Sequence, residues 1–495
     1  MNVMYKSTRG DGTLITASQA VLQGLAPDGG LYVPDAIPEL GVDVSELAGM
    51  DYKEIAYLVM SKFLSDYTEE ELKDCIEHAY DSKFDTAQIA PVVKKGQAYY
   101  MELFHGATIA FKDMALSILP HLLTKAARKN NVSNEIVILT ATSGDTGKAA
   151  MAGFADVPGT RIVVFYPKGG VSRIQELQML TQKGDNTCVI GVHGNFDDAQ
   201  SAVKRMFNDA ALKEQLAAHG YQFSSANSIN IGRLVPQVAY YVWAYSRLVK
   251  DGAVKAGEKI NFVVPTGNFG NILAGYYAKL MGLPVNKLIC ASNDNKVLYD
   301  FFKTGIYNKN REFILTTSPS MDILISSNLE RLIYKVCGNS SELNSAYMKD
   351  LASKGVYTLN INQIARLEDF VPGYADEKAN ADEIKQVYDE TGYVIDTHTG
   401  VASAVYRQYV SDTKDETPTV IVSTASPYKF ARAVMTAIDP EYDKLEDFDL
   451  IRELNKVSGV EIPNAIKEIM DADIRHNTVC DIDKMETEVK GFLGI

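Results

Sequence analysis

From about residue 99 to residue 422 the chain alternates short β-branched runs with amphipathic segments, and no other feature constrains the fold as much. Runs at 135–139, 161–165, 261–264, 287–289 and 419–422 read as buried strands, being short, apolar and bounded by turn residues. Helical spacing follows, as at 174–180, 199–207 and 235–249. Such alternation predicts parallel sheets covered by helices, with ligands bound at the carboxyl ends of the strands. Several of those ends carry a Gly/Ser/Thr-rich turn.

A chain of 495 residues exceeds the roughly 250–300 that one core sustains, so about two to four domains are expected. Residues 1–95 form a mainly helical N-terminal domain in this reading, since 52–80 has helical apolar spacing and many acids. The region 96–435 is read as two α/β lobes, with about 130–225 the smaller, mobile one, and 436–495 as a C-terminal helical extension. The acidic, Lys-bearing stretch 376–390 reads as a solvated helix face.

Composition excludes some functions. With 49 basic against 63 acidic side chains, the net charge is −14. That argues against nonspecific nucleic-acid or anionic-membrane binding, because both need a basic face. The five cysteines never form CxxC and read as free thiols of a reducing cytoplasm. The N-terminus lacks the pattern of a signal peptide, and no apolar stretch reaches the 18 or so residues that span a bilayer. A cytoplasmic monomer or homodimer is expected. Seven scattered histidines without HExxH give no metal signal.

Four turns carry candidate chemistry. Lys112, in FHGATIAFKD (104–113), stands beside Phe111 at the start of a helical stretch, 114–129. The positive helix end and partial desolvation both disfavour an ammonium there, and a lysine with a lowered pKa forms Schiff bases. The alternative is an ordinary first-turn lysine. Thr142, Ser143, Gly144, Asp145, Thr146 and Gly147 join a strand to a helix, which makes either an anion site or a merely capped turn. In PTGNFGN (265–271) two glycines let backbone N–H groups approach a phosphate, but the spacing is neither a Walker loop nor GxGxxG. The fourth, STASPYKF (423–430), taken alone reads as a helix cap. A reactive lysine, a glycine cup and a hydroxyl turn together point to pyridoxal phosphate.

These segments, with STRGDG (7–12), GLAPDGGLYVP (24–34), ATSGDTGKAA (141–150), YPKGGVSRIQELQM (166–179) and SANSINIGRLVPQ (225–237), resemble the threonine synthase family in its long microbial and fungal branch. The resemblance runs from about Tyr5 to Phe430. It implies a fold-type II, tryptophan synthase β-like enzyme that uses pyridoxal 5'-phosphate to convert O-phospho-L-homoserine and water to L-threonine and phosphate. By that resemblance Lys112 holds the Schiff-base position, and Gly267, Asn268, Phe269, Gly270 and Asn271 hold the cofactor phosphate. Thr424 faces the pyridine nitrogen. Asn227, Ser228 and Arg233 receive the substrate phosphate, and Ser143 and Thr146 are further substrate contacts. Asp145 stands where short-branch members have Asn, either protonated or accepting from the cofactor's hydroxyl. Lys168 and Arg173 add positive field or belong to a solvated turn. His105 and His398 read as structural. Rival readings are a serine or threonine dehydratase, an amino-alcohol phospholyase, or a non-catalytic homologue.

Overall fold

The structure, a computed structural model, describes residues 2–142, 144–171 and 173–495. Two parallel-rich sheets organise it. The larger has six strands in the order Phe370–Tyr374, Val285–Ser292, Ile260–Pro265, Thr419–Ser423, Ala98–Glu102 and Val92–Lys95. All its pairs are parallel except the last, a hairpin. The smaller has five parallel strands in the order Thr478–Asp481, Thr187–His193, Thr160–Pro167, Glu135–Ala141 and Tyr221–Ser224.

Central strands are buried because helices cover both faces; every residue of Ile260–Pro265 is buried, Asn261 included. The 20-residue helix Ile231–Lys250 is buried along its first 18 residues and packs against Tyr52–Phe63 of the N-terminal unit. An all-round buried helix marks the middle of a large core. Helices Ala17–Gln23, Tyr52–Phe63 and Glu69–Ala79 each begin with a capping box, at Thr16, Asp51 and Thr68. No helix among the described residues is long and apolar enough to cross a membrane.

Two expectations need correction. The helical stretch 114–129 is two helices, Asp113–Leu116 and Leu119–Lys129. Pro120 has no N–H and suits a first turn, so it restarts the helix instead of continuing it. The C-terminal stretch 436–495 is not wholly helical, since Thr478–Asp481 adds an edge strand to the smaller sheet beside Thr187–His193.

Topology then positions the site. Strand order reverses between Ile260–Pro265 and Thr419–Ser423 in the larger sheet, and between Glu135–Ala141 and Tyr221–Ser224 in the smaller. Crevices at such switch points bind ligands. The loops leaving these four strands are 266–269, 424–426, the connection that opens at Thr142, and 225–230.

Candidate active site

Lys112 lies on the segment after Ala98–Glu102, pinned to the 424–426 turn by an antiparallel bridge between Ala110 and Ala425. The Phe111 N–H donates to the Thr424 carbonyl at 2.8 Å, and the Ser426 N–H to that of Ile109 at 3.0 Å. Backbone bonds alone therefore make Lys112 and Thr424 fixed neighbours. The Lys112 Nζ donates to Ser320 Oγ at 2.9 Å and stands 3.5 Å from Asp145 Oδ2, with its side chain 11% exposed. Burial lowers its pKa, Lys429 and Arg233 push the same way, and Asp145 opposes them. The helix it precedes has four residues, so burial and neighbouring cations do the lowering that the sequence assigns partly to a helix dipole.

Asp145 begins the helix Asp145–Phe154 and is buried. Burial by itself would raise its pKa. Lys429 Nζ at 3.3 Å, Lys112 and the Gln175 amide at 2.9 Å outweigh that and hold the carboxyl far below its usual range. Of the two states open from sequence, the ionised, acceptor-only carboxylate is the one this geometry favours.

The Thr142 Oγ1 accepts from the N–H groups of both Gly144 and Gly147 at 3.0 Å. Two amides that the sequence offered to an anion are spent on a cap. Thr146, in the first turn, is half-buried; Ser143 lies outside the described residues.

In the loop at 267–271 the left-handed residue is Phe269 (φ 65°). A non-glycine there costs roughly 1–3 kcal/mol, offset by its ring packing on Phe302 and Phe370. A Cβ on Gly267 would lie 2.4 Å from the Ser320 carbonyl oxygen. Asn268 is exposed, and Gly270 and Asn271 begin the helix Gly270–Leu280, whose first N–H groups have no partner within the helix. Tyr240 and Tyr241 hydroxyls both donate to Asn271 Oδ1 at 2.7 Å, while Asn271 Nδ2 is buried without a partner.

Arg233 is 3% exposed. Its Nη1 donates to the Ala226 carbonyl at 2.7 Å, and its Nε is buried without a partner. Burial lowers its pKa to about 10. Asn227 is exposed and Ser228 half-buried on the loop ahead of it. A buried cation with an idle donor, near a lysine whose charge it disfavours, has the chemistry that an anion would satisfy.

The segments 320–322 and 396–400 resemble the family's near its site, but no role for them is legible from sequence. Ser320 links Lys112 to Asp145, and its N–H donates to His398 Nε2 at 3.1 Å. His398 Nδ1 faces Asp396 at 2.7 Å, so His398 fixes the Ser320 turn. His105 stands outside this network between Asp85 and Glu102; those carboxylates outweigh burial and push its pKa up to about 9. Lys168 and Arg173 both pair with Glu176, which favours the solvated-turn reading.

Three family models match the chain: threonine synthase N terminus over residues 4–80, pyridoxal-phosphate dependent enzyme over 94–425, and threonine synthase, C-terminal, over 399–489. Threonine synthase of Schizosaccharomyces pombe is 37% identical over 473 residues, which cover 89% of this chain and 90% of that protein. This chain belongs to the threonine synthase family. Human threonine synthase-like 1 is 39% identical over 90% of the chain, but the chain spans only 59% of that longer protein. The threonine synthase structure from yeast superposes with a TM-score of 0.89 at 30% identity, covering 99% of both chains. The pyridoxal-phosphate-bound threonine synthase from Brucella melitensis gives 0.87 at 33% identity over the whole of both chains. The threonine synthase fold is thus present throughout, and its cofactor fits the residues found: a buried lysine driven toward the neutral amine, a cradle that a Cβ at Gly267 would fill, and idle donors on Asn271 and Arg233.

Proposed function

We propose that the chain converts O-phospho-L-homoserine and water to L-threonine and phosphate, with pyridoxal 5'-phosphate held by Lys112 and residues 267–271. When bound, the cofactor supplies an electron sink for charge that develops at the substrate Cα. The leaving phosphate is on Cγ while water ends on Cβ, so protons must move at both Cα and Cβ. Lys112 Nζ moves them, a role supported by its burial, which favours the neutral amine.

Arg233 binds the substrate phosphate by a charge-assisted pair, with Asn227 and Ser228 beside it, and Ser143 and Thr146 contact the rest of the substrate. Asp145, as a carboxylate, accepts from the cofactor's ring hydroxyl. Thr424 orients the ring nitrogen with a neutral hydroxyl. The reaction belongs in the cytoplasm on this reading, which free cysteines at all five positions support.

The observation that carries the proposal is Lys112, near-buried and biased toward neutrality, in one site with the idle Arg233 Nε and Asn271 Nδ2. Its test is to incubate purified holoprotein with O-phospho-L-homoserine and quantify threonine, phosphate, ammonia and keto acid. Threonine and phosphate are expected in equal amounts, and neither from Lys112→Ala. Ammonia with keto acid would instead establish a dehydratase or phospholyase, and absence of turnover a binding homologue.

A further inference from the structure

One buried residue joins the two loops assigned to phosphate groups, one through its backbone and the other through its side chain. Asn328 has no exposed surface. Its backbone N–H donates to the Asn268 carbonyl at 2.9 Å, and its Nδ2 to the Ser228 carbonyl at 3.3 Å. Its Oδ1 accepts from Arg331 Nη1. Arg331 is itself 2% exposed and spends its remaining nitrogens on the carbonyls of Tyr32 at 2.9 Å and Ile229 at 2.6 Å. The N-terminal unit also holds that loop and the strand end before it: Asn230 Nδ2 donates to the Val21 carbonyl at 3.0 Å, and Ser224 Oγ to that of Leu22 at 3.2 Å. Both loops are thereby referenced to one asparagine, and that asparagine to the N-terminal unit.

We propose that Asn328, fixed by Arg331, is a positioning residue that sets the spacing between the two phosphate-receiving loops and so selects amino acids phosphorylated on Cγ over those phosphorylated on Cβ. The inference rests on the proposed function above. Lys112 fixes where the substrate Cα reacts, and Arg233 fixes where its phosphate ends. A phosphate one methylene nearer Cα falls short of the 225–230 loop unless that loop yields. Apolar contact alone discriminates one methylene by about 10–200-fold, and a charge-assisted phosphate contact that the shorter substrate cannot reach is a separate loss of binding on top of that. Rigid spacing between charged contacts therefore adds selectivity that pocket volume does not provide.

Asn328→Asp tests this with little change of shape. The variant keeps the backbone N–H for Asn268 and an oxygen for Arg331, but sets an acceptor against the Ser228 carbonyl and so releases that loop. The KM for O-phospho-L-homoserine should rise roughly tenfold. The inhibition constant of O-phospho-L-serine, divided by that KM, should fall. Bound-cofactor absorbance and kcat should hold. An unchanged KM and ratio would overturn the proposal, as would loss of cofactor with a matching loss of kcat, the mark of a merely structural residue. If the Asp variant does not accumulate as folded holoprotein, Asn328→Ser, which removes both side-chain contacts and keeps the backbone one, is read by the same ratio. Wild-type holoprotein that makes no threonine would sink the proposed function; a wild type that makes it, beside an Asn328→Asp with unaltered constants, would sink this inference alone.

Discussion

Lys429 shows how a single residue shapes the site. Its side chain is wholly buried, with Nζ 3.0 Å from the Thr108 carbonyl and 3.3 Å from Asp145 Oδ1. Two lysines thus share one carboxylate, and the second disfavours charge on the first. Lys429→Met removes that repulsion and leaves Asp145 to Lys112 alone; both changes raise the Lys112 pKa. Cofactor uptake needs the neutral amine, so the midpoint of uptake rate against pH should move to higher pH, read by rapid-mixing absorbance on reconstitution. A midpoint that stays, or moves toward acid, contradicts the assignment. Sequence could not reach this pairing. Lys429 is plainly visible in STASPYKF, yet its partner sits on the other lobe, and nothing near either residue announces the contact. Lys112 was legible because it stands among turn residues after a strand, whereas Ser320, which it touches, lies in a loop without periodicity.

At the scale of elements, the 267–271 loop and the short turn Pro319–Met321 are a fitted pair. Gly267→Ala would force its Cβ to 2.4 Å from the Ser320 carbonyl, a distance no backbone atom tolerates, so the turn must shift and carry the Ser320 hydroxyl away from Lys112. With about 1 Å of misplacement worth on the order of 100-fold, kcat/KM for O-phospho-L-homoserine should fall by about that factor and cofactor affinity should weaken. Steady-state kinetics with cofactor titration would show it, and an Ala variant with wild-type constants would remove the turn from the account. Elements differed in how readily they could be read. Buried parallel strands such as Ile260–Pro265 and Thr419–Ser423 announce themselves by short apolar runs, 262–264 and 420–422. Phe370–Tyr374 does not, because Pro372 and Gly373 are tolerated only where an edge strand leaves ladder bonds free. The glycine cup was visible, but the left-handed turn within it belongs to Phe269, whose ring packing is a tertiary fact.

At the scale of the molecule, a net charge of −14 repels phosphorylated ligands, so on the proposed function cofactor and substrate are bound by donors that the fold sequesters: the start of Gly270–Leu280, Asn271 and Arg233. Arg233 and Asp145 are held on opposite sides of the smaller sheet's switch point, and that sheet is closed by chain from far away. Thr478–Asp481 supplies its edge strand, and Met485, Val489 and Leu493 from the last helix are buried in its core. Full burial of such a side chain contributes about 1.5–3 kcal/mol, so three of them approach the roughly 5–15 kcal/mol by which a domain is stable at all. Deleting residues 472–495 should therefore loosen the smaller lobe first. Limited proteolysis should cut within 130–225 while the larger sheet resists, the thermal transition should split, and activity should vanish because Asp145 and the 225–230 loop lose their frame. Wild-type protease resistance and kcat/KM in the truncated chain would show that the terminal strand only decorates an edge that closes without it.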